Sequence, residues 1–192
     1  MKAVVVGNNP DILESNLGKK IDSFDVVIRL GAFKLRGYEV HVGSRVDVCM
    51  CRWRKFFAID SQTKRQIQSL WFPYTKPPSS SCNIEISSEE HFNNLNHYNI
   101  SDVDYMPQEL YFNTIERLQC KSLTLGLAAI LLALAKHDSV SIIGIGTSLD
   151  DQRLRGKYWN PSEAQWNVQH NLVSECIYIQ RLINNNNVRR LK

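Results

Sequence analysis

Three short segments of this chain carry apolar residues on both of their faces, and a strand without a polar face has to be covered on both sides. They are "AVVV" at 3–6, "DVVIRL" at 25–30 and "VSIIGIG" at 140–146. Helical patterns separate them, the longest being "LGLAAILLALA" at 125–135, which has no breaker inside it. Strands and helices that alternate in this way predict an α/β fold with a mainly parallel sheet and helices on both faces. At 192 residues the chain has room for one such domain, residues 1–192.

Composition narrows the class. Apolar residues make up 43% and charged residues 22%, as in ordinary globular domains. A net charge of +4 is too mild to argue for a nucleic-acid partner. Five cysteines occur at irregular spacing with no C-x-x-C pair, so neither a zinc ribbon nor a dithiol redox site is expected. Cys49 and Cys51 share one face of a strand, a pattern of burial, and the odd count suits a reducing compartment. Met1 and Lys2 lead straight into strand residues without a signal-like leader, and 125–135 is too short to span a bilayer. A cytoplasmic location is the expectation.

Along the chain, "PDILESNLGKKI" reads as a short helix or turn opened by Pro10 and closed near Gly18. "YEVHVGSRVDVCMCRW" reads as one or two strands with Gly43 as a turn, and the following segment as a helix and a strand ending at Pro73. Residues 75–99, rich in Pro, Ser and Asn, read as a surface insertion. A last long helix is expected over "SEAQWNVQHNLVSECIYIQRLINNNN", with Ser162 as its N-cap and the asparagine run as its end. The terminal "VRRLK" reads as a solvated basic tail.

In a parallel sheet, ligands bind beyond the carboxyl ends of the strands. Two glycine turns lie there, "GNN" from Gly7 and "GIG" from Gly144 to Gly146, together with the loop after "VIRL". Asn8 and Asn9 carry amides that can read a ribose, a phosphate or a base edge, and equally can cap the next turn. "GNNPDI" lacks the G-x-G-x-x-G of a dinucleotide site, which sets NAD aside. Ser122, Thr124 and Gly126 stand where the long apolar helix begins, a place that can seat a phosphate or need only an N-cap. His170 is a candidate general base. Glu175, five residues on, would point about 140° away on one regular helix, so cooperation requires His170 to lie at or before the helix start. Asp102 and Asp104 form a D-x-D, which arises easily by chance among ten aspartates and is a weak metal signal.

In order and spacing, these pieces resemble glycosyltransferase family 29, the animal-type sialyltransferases. The family's large motif, V-V-G-N-S then G-x-x-I-D-x-x-D-x-V-I-R-x-N then V-G-x-R, is similar to "VVVGNN", "GKKIDSFDVVIRLG" and "HVGSR". Its small motif, S-T-G, an apolar helix and V-x-x-x-G-F-G, is similar to "TLGLAAILLALAKHDSVSIIGIG". "KYWN" at 157–160 resembles the third motif, H-Y-[YW]-E, and His170 with Glu175 matches H-x4-E.

The resemblance implies a single-domain, Rossmann-like fold, a variant of the glycosyltransferase A architecture, and an inverting enzyme. It would move sialic acid from a CMP-activated donor to a glycan acceptor, with no cofactor and no metal. His170 would be the general base, and Lys157 would neutralise the leaving phosphate. Gly7, Asn8, Asn9, Gly31, Thr124, Gly126, Gly144, Gly146 and Tyr158 would line the nucleotide, and Glu175 would support local structure. Three departures stand out. Gly31 replaces an asparagine, Lys157 replaces a histidine, and Ala3 and His137 stand near the family's paired cysteines. The family's membrane anchor and stem have no counterpart either. These departures imply a compact relative of bacterial or viral type, or an excised domain. They leave two alternatives open: transfer of another CMP-activated acidic sugar such as Kdo, or a nucleotide-binding module that has lost transfer.

Overall fold

The computed structural model describes residues 1–73, 96–147, 157–160 and 170–191. The expected insertion at 75–99 falls mostly outside them, as does Ser162. Seven strands form one sheet: β1 (Lys2–Val6), β2 (Val26–Leu30), β3 (Val48–Met50), β4 (Ser69–Phe72), β5 (Asp102–Tyr105), β6 (Ser139–Ile143) and β7 (Val188–Arg190). Their order is β5-β4-β3-β2-β1-β6-β7, and every pairing is parallel. From β1 the chain builds outward through β2 to β5, then returns to place β6 on the other side of β1. The strand order therefore reverses between β1 and β6, which opens a crevice at their carboxyl ends.

Both faces are covered, as the two-sided strands require. On one face Ala3, Val5, Ile28, Leu30, Val140 and Ile142 pack under α5 (Gln108–Leu118), α6 (Leu125–Lys136) and α7 (Leu172–Asn184). On the other, Val4, Val6, Val27, Cys49 and Ile143 pack under a short 3-10 helix (Pro10–Glu14), α1 (Gly18–Asp22), α2 (Glu39–Val42) and α3 (Trp53–Phe57). A further turn of helix, α4 (Ser61–Lys64), precedes β4. Cys49 and Cys51 are buried on the same side, as their spacing required. Among the described residues no helix is long and apolar enough to cross a membrane.

Four local expectations need correction. Gly18 begins a helix rather than ending one, because its α-carbon lies against the carbonyl of Glu39, where a Cβ would sit 1.9 Å from that oxygen. "EVHV" is a helical turn, although its alternation suits a strand; Gly43, at φ +78°, ends it. The last helix starts after Asn171, whose side chain accepts from the Ser174 N–H, so His170 precedes it. The basic tail is β7: Val188 is buried against the sheet and the Leu191 N–H donates to Ile142. Three residues with one apolar side chain carry too little pattern to announce an edge strand.

Arg29 sits in the middle of β2 and is 1% exposed. Its Nε donates to the Arg45 carbonyl at 2.8 Å and an Nη to the Val42 carbonyl at 2.7 Å, fastening the α2–β3 connection beneath the sheet. Burial pulls its pKa down to about 10, which still leaves it charged at neutral pH. Arg45 in turn donates to the carbonyls of Asp22, Phe24 and Asp25 and pairs with Asp47. Arg29 and Arg45 thus both serve as backbone staples. Replacing Arg29 by Ala orphans two buried carbonyls and leaves a cavity. It should cost about 3–5 kcal/mol, read as a lower midpoint in urea unfolding.

Candidate functional site

The crevice between β1 and β6 is shaped by two backbones in contact. The Gly7 N–H donates to Ile143 at 2.8 Å and the Asn9 N–H to Gly144 at 2.9 Å. A Cβ on Gly7 would lie 2.1 Å from the Gly144 carbonyl oxygen, and Gly144 itself turns at φ +64°. The two glycine turns of the sequence are therefore one structural unit.

Three neighbouring loops attach to it. Asn8 Nδ2 donates to the carbonyls of Leu30 (2.8 Å) and Ala32 (3.2 Å), which holds the loop after β2. Those two acceptors fix the amide's orientation and leave its Oδ1 without a hydrogen bond among the described residues. Asn9 takes the role of a cap: its Oδ1 accepts from the Asp11 N–H at 3.0 Å. Gly31 turns at φ +58° and donates to Met50 at 2.8 Å, with Leu125 packed beside it.

The hairpin at 157–160 docks from above through Tyr158, whose N–H donates to the Asn8 carbonyl at 2.9 Å. The Tyr158 hydroxyl is used within the protein. It donates to the Lys34 carbonyl and accepts from the Lys34 N–H, and burial pushes its pKa up to about 12. This side chain joins the loops after β1 and β2. Lys157 is 6% exposed, with Nζ over the Trp159 ring at 4.6 Å from the centroid.

The N-terminus of α6 faces the same crevice. Gly126 packs near Ile145 of the β6 loop and Leu30 at the end of β2. Thr124 is the N-cap, its Oγ1 accepting from the Leu127 N–H at 3.2 Å. The N–H groups of Leu125 and Gly126 have no hydrogen-bond partner among the described residues. A helix of 12 residues with two open N–H groups at its positive end is a place for an anion.

His170 and Glu175 both hold the segment that enters this helix. His170 Nδ1 lies 2.8 Å from the Ser122 carbonyl oxygen and 3.2 Å from its hydroxyl. Donation from Nδ1–H to the carbonyl leaves the lone pair of the neutral ring on Nε2. Burial lowers the His170 pKa and the nearby Arg52 adds to this, while the bond to Ser122 opposes it; the ring is therefore neutral at pH 7. Glu175 is 1% exposed, with Oε1 3.0 Å from the Thr124 N–H nitrogen and Oε2 2.5 Å from Thr124 Oγ1. Burial raises its pKa to about 7 against those two hydrogen bonds.

All the residues named from the sequence as base or nucleotide contacts thus lie on loops at the carboxyl end of the sheet or on what is packed against them. Asp102 and Asp104 lie apart, on β5, four strands from β1. Asp102 accepts from the Ser69 hydroxyl and Asp104 pairs with Lys136. Arg52, which lowers the His170 pKa, escaped the sequence reading; its one signal was its place just beyond a buried strand. An open depression of about 600 Å³ lies at the opposite, amino end of the strands, lined by Asp25, Arg45, Asp47, Asp102 and His137 among others. Its Arg45 and Asp47 neutralise each other, and neither glycine turn reaches it.

Comparison with known proteins gives a consistent result. The sequence matches the profile of glycosyltransferase family 29 (sialyltransferase) over residues 1–187. It is 24% identical to the lactosylceramide alpha-2,3-sialyltransferase of Rattus norvegicus, over 95% of this chain and 54% of the relative. It is 22% identical to a CMP-N-acetylneuraminate-beta-1,4-galactoside alpha-2,3-sialyltransferase of the same organism, over 95% and 55%. The chain thus spans about half the length of the curated relatives it matches. Its fold is that of a mammalian sialyltransferase, with a TM-score of 0.70 at 17% identity over all of this chain and 68% of that one. A Campylobacter jejuni sialyltransferase in complex with the substrate analogue CMP-3FNeuAc superposes with a TM-score of 0.51 at 10% identity, over 98% and 80%.

The raised pKa of Glu175 has a consequence for stability. Between its ordinary value of 4.5 and about 7, the folded chain holds a proton that the unfolded chain has released. The contribution is complete below pH 4.5 and is lost as pH rises through about 7. Glu175→Gln, which mimics the protonated acid, should be the more stable protein at pH 8, by at most about 3 kcal/mol. The gap should close towards pH 4 in urea titrations.

Proposed function

Because the chain belongs to glycosyltransferase family 29, the sialyltransferases, we propose that it moves sialic acid, or a related acidic sugar, from a CMP-sugar donor to a glycan hydroxyl with inversion. The observation that carries this reading is the placement of His170. A neutral imidazole whose Nε2 has no hydrogen bond among the described residues is anchored through Ser122 beside the open N-terminus of α6, at the crevice between β1 and β6.

Each part of the reaction then has a candidate group. An acceptor hydroxyl is a poor nucleophile, and His170 Nε2 takes its proton as the new bond forms. The donor phosphate gains negative charge as the glycosidic bond breaks. The Leu125 and Gly126 N–H groups stabilise that charge at the positive end of α6, without reorganising during the reaction. Asn8 Oδ1 is left to accept from a nucleotide hydroxyl. Gly31, Gly144 and Gly146 let the ligand pass close to backbone. Lys157 would leave the face of Trp159 to meet the phosphate, in place of the family's histidine. Attack opposite the leaving CMP inverts the anomeric centre, and the acidic pair on β5 takes no part.

His170→Ala should reduce transfer by about 10²–10⁴-fold while CMP binding and thermal stability stay near wild type. Unchanged turnover would remove His170 as the base. Transfer should also survive EDTA; complete loss restored by Mn²⁺ would reinstate Asp102 and Asp104. In calorimetry the chain should bind CMP in preference to UDP, GDP and S-adenosylhomocysteine. CMP binding without transfer to any glycan would favour a module that has kept the scaffold alone.

A further inference from the structure

Glu175 presents a physical problem that the transfer reaction leaves unsolved. Its carboxylate is buried against the first residues of α6, and no lysine or arginine among the described residues pairs with it. Its partners are the N–H and hydroxyl of Thr124. Cys120 on the α5–α6 connection faces it; His170, ahead of α7, holds the same segment through Ser122 and in turn feels Arg52, the N-cap of α3. The Leu125 and Gly126 N–H groups, one and two residues further on, are the proposed seat of the donor phosphate. When the donor docks, two negative charges share one helix terminus, and desolvation of the crevice strengthens their repulsion.

We propose that Glu175 is a positioning residue that takes up a proton when the donor phosphate docks at the N-terminus of α6, and thereby turns the Thr124 hydroxyl toward that phosphate. The inference rests on the reading of α6 as the donor site. The hydrogen-bond geometry supports both states. With Glu175 ionised, Thr124 Oγ1 donates its hydrogen to Oε2 and accepts from the Leu127 N–H. With Glu175 protonated, the carboxyl O–H donates to Thr124 Oγ1, which still accepts from Leu127. The Thr124 hydrogen is then released to a phosphate oxygen as a third donor beside Leu125 and Gly126. The proton comes from solvent and no covalent bond other than O–H changes. A carboxyl whose pKa already stands near 7 takes up that proton readily at physiological pH. The neutral acid also suits the transition state, in which the phosphate charge grows.

The test is calorimetry with the phosphodiester analogue CMP-3FNeuAc, which has no ionisation of its own near neutrality, in buffers of different ionisation enthalpy. At pH 7.5 the wild-type chain should take up about half a proton or more on binding, falling towards zero at pH 5.5. Its Kd should rise as pH increases above 7, approaching tenfold per unit. Glu175→Gln should bind with no uptake and a flat Kd across the same range, a result that a purely structural role would not produce. His170→Asn should keep the uptake, assigning the proton to the carboxyl. Uptake that persists in Glu175→Gln, uptake lost in His170→Asn, or binding by the wild type without uptake overturns the proposal and leaves the donor site standing. Failure of the wild type to bind overturns the donor-site reading, and this inference with it. Should Glu175→Gln not fold, infrared difference spectra of the wild type decide: a protonated-carboxyl C=O band must appear on binding, and its absence is disproof.

Discussion

The contact of Gly7 with Gly144 is the constraint on which the site depends. β1 and β6 are neighbours in the sheet but far apart in sequence, and their loops must part to open a crevice. Here the backbones touch first and part afterwards, through two hydrogen bonds and a separation that no Cβ could tolerate at Gly7. The close approach fixes where Asn8 stands. Asn8 then fixes the loop after β2 through two carbonyls, and accepts the 157–160 hairpin on its own carbonyl. One steric requirement therefore propagates into the position of three loops, without any charged group at the contact.

A second organising device works on the opposite side of the crevice. The segment Ser122–Leu123–Thr124 enters α6 and is held at both ends by side chains from the start of α7, His170 at Ser122 and Glu175 at Thr124. Orientation of His170 and of the helix terminus is thus a single event. A shift of α7 would move the imidazole and the capping threonine together. Asn171 reinforces the arrangement by donating to the Leu118 carbonyl at the end of α5.

Much of this was legible in the sequence because it rests on patterns with a fixed period or a fixed residue type. Two-sided strands announced a covered parallel sheet, and Gly7 and Gly144 marked the turns at its carboxyl end. The 140° offset of His170 and Glu175 allows them to cooperate only with the histidine at or before the helix start, whereas the helical pattern runs back to Ser162; the structure starts α7 after Asn171. What could not be read has equally physical causes. The helical turn at Glu39–Val42 follows an alternating pattern and is set by tertiary contacts, the carbonyl of Val42 being held by Arg29 from beneath the sheet. β7 is too short to show a period, and its basic residues look like a tail until Val188 is seen against β6. Tyr158 was placed at the nucleotide by its motif, whereas its hydroxyl is used up by the Lys34 backbone; no spacing rule reveals which partner a phenol finds.

The same distinction bears on the three departures from the family pattern. Gly31 occupies a left-handed turn where a Cβ would meet Leu125 at 3.5 Å, so a side chain is lost there without disturbing the backbone, whose N–H is still held by Met50. Lys157, in a hairpin pinned to Asn8, is buried and places its ammonium over the Trp159 ring, so a basic group still stands where the family has a histidine. His137 caps the far end of α6, stacked on Trp71 and remote from the crevice, where a change of residue alters the packing of the helix terminus rather than the chemistry at its start. Substitutions that look equal in the sequence are therefore unequal in the structure: Gly31 and Lys157 stand by the loops at the carboxyl end of the sheet and His137 does not.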